Sequence, residues 1–73
     1  MSPEAITKQF GRNLAEAREW SGLSQTELGE RLSLRYYEIC RFERGVRSPR
    51  LDVVVGLADV LELQVRDLLY GIE

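Results

Sequence analysis

The sequence has no histidine and a single cysteine, Cys40. Without histidine it lacks the side chain that most often serves as a general base near neutral pH and as a transition-metal ligand. One cysteine cannot close an intrachain disulfide, and a reducing cytoplasm is the simplest setting for such a chain. There is no glycine-rich phosphate loop and no cluster of residues at metal-ligand spacing. Carboxylates are scattered along the chain rather than paired. Catalysis, a cofactor and a metal are therefore not expected. No run of 18 apolar residues occurs, so no membrane span is expected. The opening MSPEAITKQF lacks the apolar stretch of a secretory signal. Two prolines, no low-complexity stretch and no internal repeat leave no obvious linker. The 73 residues make one domain, 1–73. It lies near the lower size limit, since a domain of about 60 residues buries only about 60% of its unfolded surface.

What is present is unevenly distributed charge. The formal net charge is -2. Residues 1–30 contribute -2 and residues 51–73 contribute -4. Residues 31–50 carry six arginines against Glu38 and Glu43, giving +4. Local potential, rather than net charge, decides whether a polyanion docks. A solvated arginine-rich surface without a partner is the plain alternative, and charge alone does not decide between them.

Spacing predicts five helices and no strand. Ser2-Pro3-Glu4 supplies an N-cap, a first-turn proline and an acid at the positive helix end. Ile6, Phe10, Leu14 and Ala17 then fall on one face, predicting a helix over 3–21. Ser24-Gln25-Thr26-Glu27 has the form of a capping box and opens a helix over 25–32 with Leu28 and Leu32 apolar. A third helix is predicted over 36–44, with Ile39 and Phe42 inward. Val53-Val54-Val55 reads as strand by propensity. Val54, Leu57, Ala58 and Leu61 form a helical stripe, however, and no partner strand exists, so 51–61 is read as helix. The fifth is 65–70, with Leu68 and Leu69 inward. Trp20 is expected to be partly exposed or packed on the turn before helix two.

Two short helices joined at a three-residue turn, with apolar residues at 28, 32, 34, 39 and 42, have the layout of a helix-turn-helix. That layout leaves the second helix an outward face for a major groove. The quoted residues carry a resemblance: Ala17-Arg18, Gly22-Leu23-Ser24-Gln25, Glu27-Leu28, Ile39, Glu43-Arg44-Gly45, Pro49, Leu57-Ala58 and Leu61. In this order and at these gaps the chain, from about Phe10 to Gly71, resembles the phage-repressor and Cro-like (XRE) helix-turn-helix proteins. The resemblance implies a compact five-helix, lambda-repressor-like domain that binds double-stranded DNA. Three departures stand out. Glycine at Gly29, where the family commonly has alanine, costs a helix about 1 kcal/mol. Ser33 stands where the family often has glycine, so a left-handed conformation is expected there. Arg35 stands at a serine or threonine capping position, which leaves the cap to Ser33 or water.

The resemblance also implies roles. Tyr36, Tyr37 and Arg41 match base-reading positions on helix three, and Arg35 is a further candidate. Arg41 suits guanine O6 and N7, and the tyrosines suit thymine methyls or phosphates. Gln25, at the start of helix two, matches a phosphate contact. Arg44, Arg47 and Arg50 follow the reading helix and are expected to face phosphates, which position without reading sequence. The amides of Arg44 and Gly45 are candidates for the same task. Glu38 is ambiguous, suited either to cytosine N4 or to a neighbouring arginine. Glu43 and Arg18 are implied to form a structural ion pair, not a catalytic one. Cys40, beside the reading face, is more simply a small tolerated side chain than an oxidation switch.

The expected function is a sequence-specific transcriptional regulator, a repressor, acting as a homodimer on a palindromic operator. Val53, Val55, Val60, Tyr70 and Ile72 are the expected dimer surface, with finishing of the small core as their alternative use. No small-molecule ligand is expected. The rival reading is a protein-interaction module of the same fold, such as an antitoxin subunit or a transcription-factor docking domain. Arginine density on the outward face weighs against it.

Overall fold

The first two helices begin where a serine hydroxyl takes up a free amide of the first turn. The structure, a computed structural model, describes residues 1–73. Its helices are α1 (Pro3–Ser21), α2 (Gln25–Arg31), α3 (Tyr36–Glu43), α4 (Leu51–Val60) and α5 (Val65–Leu68), with no strand. The architecture is all-α, as the spacing predicts. The hydroxyl of Ser2 accepts from the Ala5 amide at 3.1 Å. At α2 the capping box is complete: the Ser24 hydroxyl accepts from the Glu27 amide at 3.0 Å, and the Glu27 carboxylate accepts from the Ser24 amide at 2.8 Å. These bonds satisfy donors that a helix end otherwise leaves free.

The turn from α2 to α3 is built differently from the expectation. Ser33 does take a positive φ, 57°. The start of α3, however, is not capped by Ser33. The Glu38 carboxylate reaches back to accept from the Arg35 amide at 2.9 Å. Arg35 itself makes no side-chain cap, as a guanidinium has only donors.

Five leucine or isoleucine side chains are fully buried: Leu14, Leu28, Ile39, Leu57 and Leu68. Each comes from a different helix, so every element is held by at least one complete burial, worth about 1.5–3 kcal/mol. Phe10, Phe42, Val54, Ala58 and Leu61 complete the core, which contains no buried polar residue. Burial of Val54, Leu57 and Ala58 along one stripe explains why 51–60 is helical despite three consecutive valines. Tertiary packing overrides β propensity here.

Several expected details differ. Helices α2, α3 and α4 each end one residue earlier than predicted, and α5 ends at Leu68. Beyond it the amides of Leu69 and Tyr70 bond to Arg66 and Asp67, three residues back, so the last turn tightens. Leu68 takes the core and Leu69 is left 40% exposed. Trp20 is not packed on the turn; it is 91% exposed at the end of α1.

The five residues expected to form one dimer surface are unevenly exposed. Val53, Val60 and Ile72 pack against the core. Val53 borders a shallow cleft with Leu34 and Phe42, whereas Tyr70 sits beside Asn13 and Ala17 of α1. Residues two apart on a helix do not share a face, so Val53 and Val55 point different ways. Val55 stays exposed, with Leu51 one turn before it.

Two glycines are required by close approach. A Cβ on Gly11 would lie 2.5 Å from the Phe42 carbonyl oxygen and 2.6 Å from that of Glu43. Hydrogen at this position lets α1 cross against the end of α3. A Cβ on Gly29 would lie 2.7 Å from the Leu34 carbonyl oxygen. The glycine that weakens α2 by propensity is therefore what admits the turn after it. Asn13 adds a polar tie: its side-chain amide donates to the carbonyls of Leu68 and Tyr70, both at 2.8 Å, and fastens α5 to α1.

Two outcomes follow. Helix propensity alone makes Gly11→Ala stabilising; the close approach makes it destabilising, by about 1–3 kcal/mol for overpacking. A lower urea midpoint is the expected result, and a higher one contradicts the crossing described. Separately, the Ser24 amide, with help from its hydroxyl, holds the Glu27 carboxyl below its ordinary value of 4.5. The folded value being the lower one, this contribution is fully present above 4.5 and is lost as pH falls through the lowered value. Thermal melts of Glu27→Gln are expected to lose less stability than the parent over that acid interval.

Candidate nucleic-acid interface

The orientation of α3 is set by a polar knot at its C-terminal end. Arg18 Nε donates to Glu43 Oε2 at 2.6 Å and Arg18 Nη2 donates to Oε1 at 3.1 Å. Arg18 Nη1 donates to the Leu23 carbonyl at 2.8 Å, and Gln25 Nε2 donates to Glu43 Oε1 at 3.0 Å. The side chains are only 15% and 7% exposed. The bond to Glu43 raises the Arg18 pKa above its ordinary value, against the opposing effect of burial. One residue of α1, one of α2 and one of α3 thus meet at a fork-shaped ion pair, the geometry in which a guanidinium bonds a carboxylate best.

With Ile39 and Phe42 inward, the opposite side of α3 faces solvent. Tyr36 is 59% and Tyr37 41% exposed, and Arg41 is exposed. The Arg41 guanidinium carbon lies 5.0 Å from the Tyr37 ring centroid. The two tyrosine rings meet edge to face, with centroids 6.2 Å apart and planes at 82°. Glu38 spends its carboxylate on the Arg35 amide. Glu38 forms no ion pair with Arg41.

Arg35, Arg44 and Arg47 are exposed and form no ion pair; the only two in the molecule are Arg18–Glu43 and Arg50–Asp52. Arg50 meets Asp52 at 3.1 Å with both side chains largely exposed, a contact of about 0–1 kcal/mol that a phosphate can displace. Arg47 and Arg50 flank the cleft beside α3 with Glu38 and Ser48. Gln25 lies at the other edge. Its amide nitrogen has two hydrogens, and the bond to Glu43 uses one.

The amides of Arg44 and Gly45, expected to be available, are not. They donate to the carbonyls of Cys40 and Phe42 within the tightened end of α3. Thr26 and Glu30 of α2 border the tyrosines and Arg35. The sequence reading passed over both; their four-residue spacing on one helix face was the available signal. Cys40 is half-buried.

The helix-turn-helix domain model matches residues 9–69. The chain belongs to the helix-turn-helix domain family. The domain is a helix-turn-helix DNA-binding domain. The domain is similar to the restriction-modification controller protein C.AhdI of Aeromonas hydrophila. The two are 34% identical with a TM-score of 0.83, over 88% of this chain and 97% of that one. It is also 34% identical, over 44 residues, to the uncharacterized HTH-type transcriptional regulator y4wC of Sinorhizobium fredii. That match takes in 60% of this chain and 31% of the relative, so the chain spans about a third of the curated protein's length. No helix of the domain is long and apolar enough to cross a membrane.

Removing one partner of a buried ion pair typically costs about 3–5 kcal/mol, because the other charge is left without compensation. Glu43→Ala is therefore expected to unfold the domain or lower its melting temperature sharply. A variant that melts like the parent would show that the pair contributes nothing to the fold.

Proposed function

We propose that the protein is a sequence-specific regulator of transcription that inserts α3 into the major groove and represses by occupying a palindromic operator as a homodimer. The observation that carries the reading is the solvent face of α3. It presents two tyrosines and an arginine with no carboxylate engaged, flanked by arginines free of ion pairs. A major groove about 12 Å wide accepts one helix with its side chains. Arg41 reads a guanine through O6 and N7. Tyr36 and Tyr37 border the neighbouring pair, and Arg35 reaches a base or phosphate at the start of the helix. Arg44, Arg47, Arg50 and the spare N–H of Gln25 hold the sugar-phosphate rails. The likeness to a restriction-modification controller and to a transcriptional regulator supports the regulatory role. A cytoplasmic location follows from the partner.

Dimerisation is supported by dimensions. Half-sites in this mode of binding lie about 34 Å apart, one helical turn. The domain measures 31 × 22 × 21 Å, so two copies fit side by side on one face of a duplex. Their contact draws on Val53, Val55, Val60, Tyr70 and Ile72, with the exposed Leu51 one turn before Val55 on α4.

Titration of duplex DNA at rising salt tests the reading. Affinity is expected to fall with a log-log slope of about -0.9 per phosphate neutralised. Arg47→Ala is expected to reduce that slope by about 1 while leaving base preference intact. Arg41→Ala is expected to cost about 1–3 kcal/mol and to relax preference at one base pair. Sedimentation at high concentration, with and without a palindromic duplex selected from a random pool, reads the dimer. Binding indifferent to salt, or monomers alone on the palindrome, refutes the corresponding half of the proposal.

A further inference from the structure

We propose that Tyr37 is a positioning residue for Arg41: its ring face holds the guanidinium in the orientation that reads a base, and its hydroxyl is not needed for this. The inference rests on the proposed reading of a base by Arg41. Tyr37 and Arg41 are four residues apart and stack along one face of α3. Their separation of 5.0 Å falls inside the range of about 6 Å within which a guanidinium is attracted to an aromatic ring. No competing partner holds Arg41. The carboxylate one turn earlier, Glu38, is bonded to the Arg35 amide, and Arg41 takes part in neither ion pair of the molecule. Tyr36 presses an edge contact on the Tyr37 ring, at 82° between planes, and limits its rotation. The three side chains form a series running along the exposed face.

The contact is with a ring, and Arg41 donates no side-chain hydrogen bond within the molecule, so its five N–H donors remain available to a base. An unrestrained arginine must be ordered when it docks, and that ordering opposes binding. An arginine already laid on a ring arrives with part of its freedom removed. Displacing water from the groove strengthens the ring's attraction for the cation at the moment of reading. The benefit therefore falls on the base pair that Arg41 contacts and not on phosphate affinity.

The experiment compares the parent with Tyr37→Phe, Tyr37→Leu, Arg41→Ala and the Tyr37→Leu/Arg41→Ala double variant. Each is titrated with a duplex selected from a random pool by the parent, and with the same duplex altered at the pair whose preference Arg41→Ala abolishes. The salt slope and the circular-dichroism melt are recorded alongside. Tyr37→Phe is expected to keep the parent's preference within about twofold, since the ring remains. Tyr37→Leu is expected to lose about fivefold in preference at that pair, with salt slope and melt unchanged. The double variant is expected to lose no more preference than Arg41→Ala alone, the signature of one residue acting through another. Tyr37→Leu retaining the full preference overturns the proposal while leaving Arg41 as the reader. Tyr37→Phe losing as much as Tyr37→Leu overturns it in favour of a hydroxyl contact. If Arg41→Ala abolishes no preference, base reading by Arg41 fails first and takes the proposal with it.

Discussion

The Arg18–Glu43 pair fixes the angle at which α3 is offered to solvent, and the rest of the surface depends on that angle. Burying two opposite charges is expensive, and their attraction compensates only when every donor and acceptor finds a partner. Here the partners are complete. Both carboxylate oxygens accept from Arg18, one of them also from Gln25, and the remaining terminal nitrogen of Arg18 donates to Leu23. A hydrophobic contact in the same place would tolerate sliding and rotation; a forked ion pair does not. Gly11 adds a steric condition, since the carbonyls of Phe42 and Glu43 occupy the space that a side chain there would take. The crossing of α1 and α3 is thus specified by charge on one side and by contact on the other.

Once α3 is set, charge segregation follows from chain order. The segment 31–50, at +4, contains the turn, the reading helix and the loop after it. The acidic C-terminal third is folded largely into α4 and α5, which pack against α2, α1 and each other. A net charge of -2 is then no obstacle to binding a polyanion. The potential that a phosphate meets is that of the arginines nearest to it, with distant carboxylates screened over about 8 Å at physiological salt. Of the two acids in α3, Glu43 is bound in the ion pair with Arg18 and Glu38 is directed back to the Arg35 amide.

The fold was legible because its signals are local and redundant. Ser24 and Glu27 announce the start of α2 within four residues, and Leu57, Ala58 and Leu61 overrule the valines before them by periodicity. What was not legible depends on contacts between distant parts of the chain. Gly11 looks like a defect in α1 until the carbonyls of α3 are seen against it. Gly29 looks like a helix-weakening substitution until the Leu34 carbonyl is placed. Asn13 offers no sequence sign that its amide will catch two carbonyls of α5, 55 and 57 residues on. The apolar residues left over from one stripe were pooled into a dimer surface without asking whether they share a face. On α3 the exposed positions were clear from spacing, but the placement of Arg41 over Tyr37 was not. Cation–π pairing at four residues was available as a rule and competed with the equally available pairing of Arg41 to Glu38. In the structure Glu38 is bonded to the Arg35 amide and Arg41 lies over the ring.

That competition has a consequence for how such a small domain divides its tasks. A Glu38 bridging to Arg41, one turn away on the same face, would have held that arginine by the same N–H donors that a guanine needs, and each base contact would then require breaking the bridge. With Glu38 bonded to the Arg35 amide and Arg41 in neither ion pair, the arginine lies over the Tyr37 ring instead. The same separation holds elsewhere. The fully buried side chains contribute stability, the Arg18–Glu43 knot contributes orientation, and the exposed arginines contribute affinity, with no residue asked to supply two of these through the same atoms. Gln25 is the exception. One of its amide hydrogens belongs to the knot and the other is available to a phosphate, so a phosphate bound there is placed by the same pair that sets the reading helix.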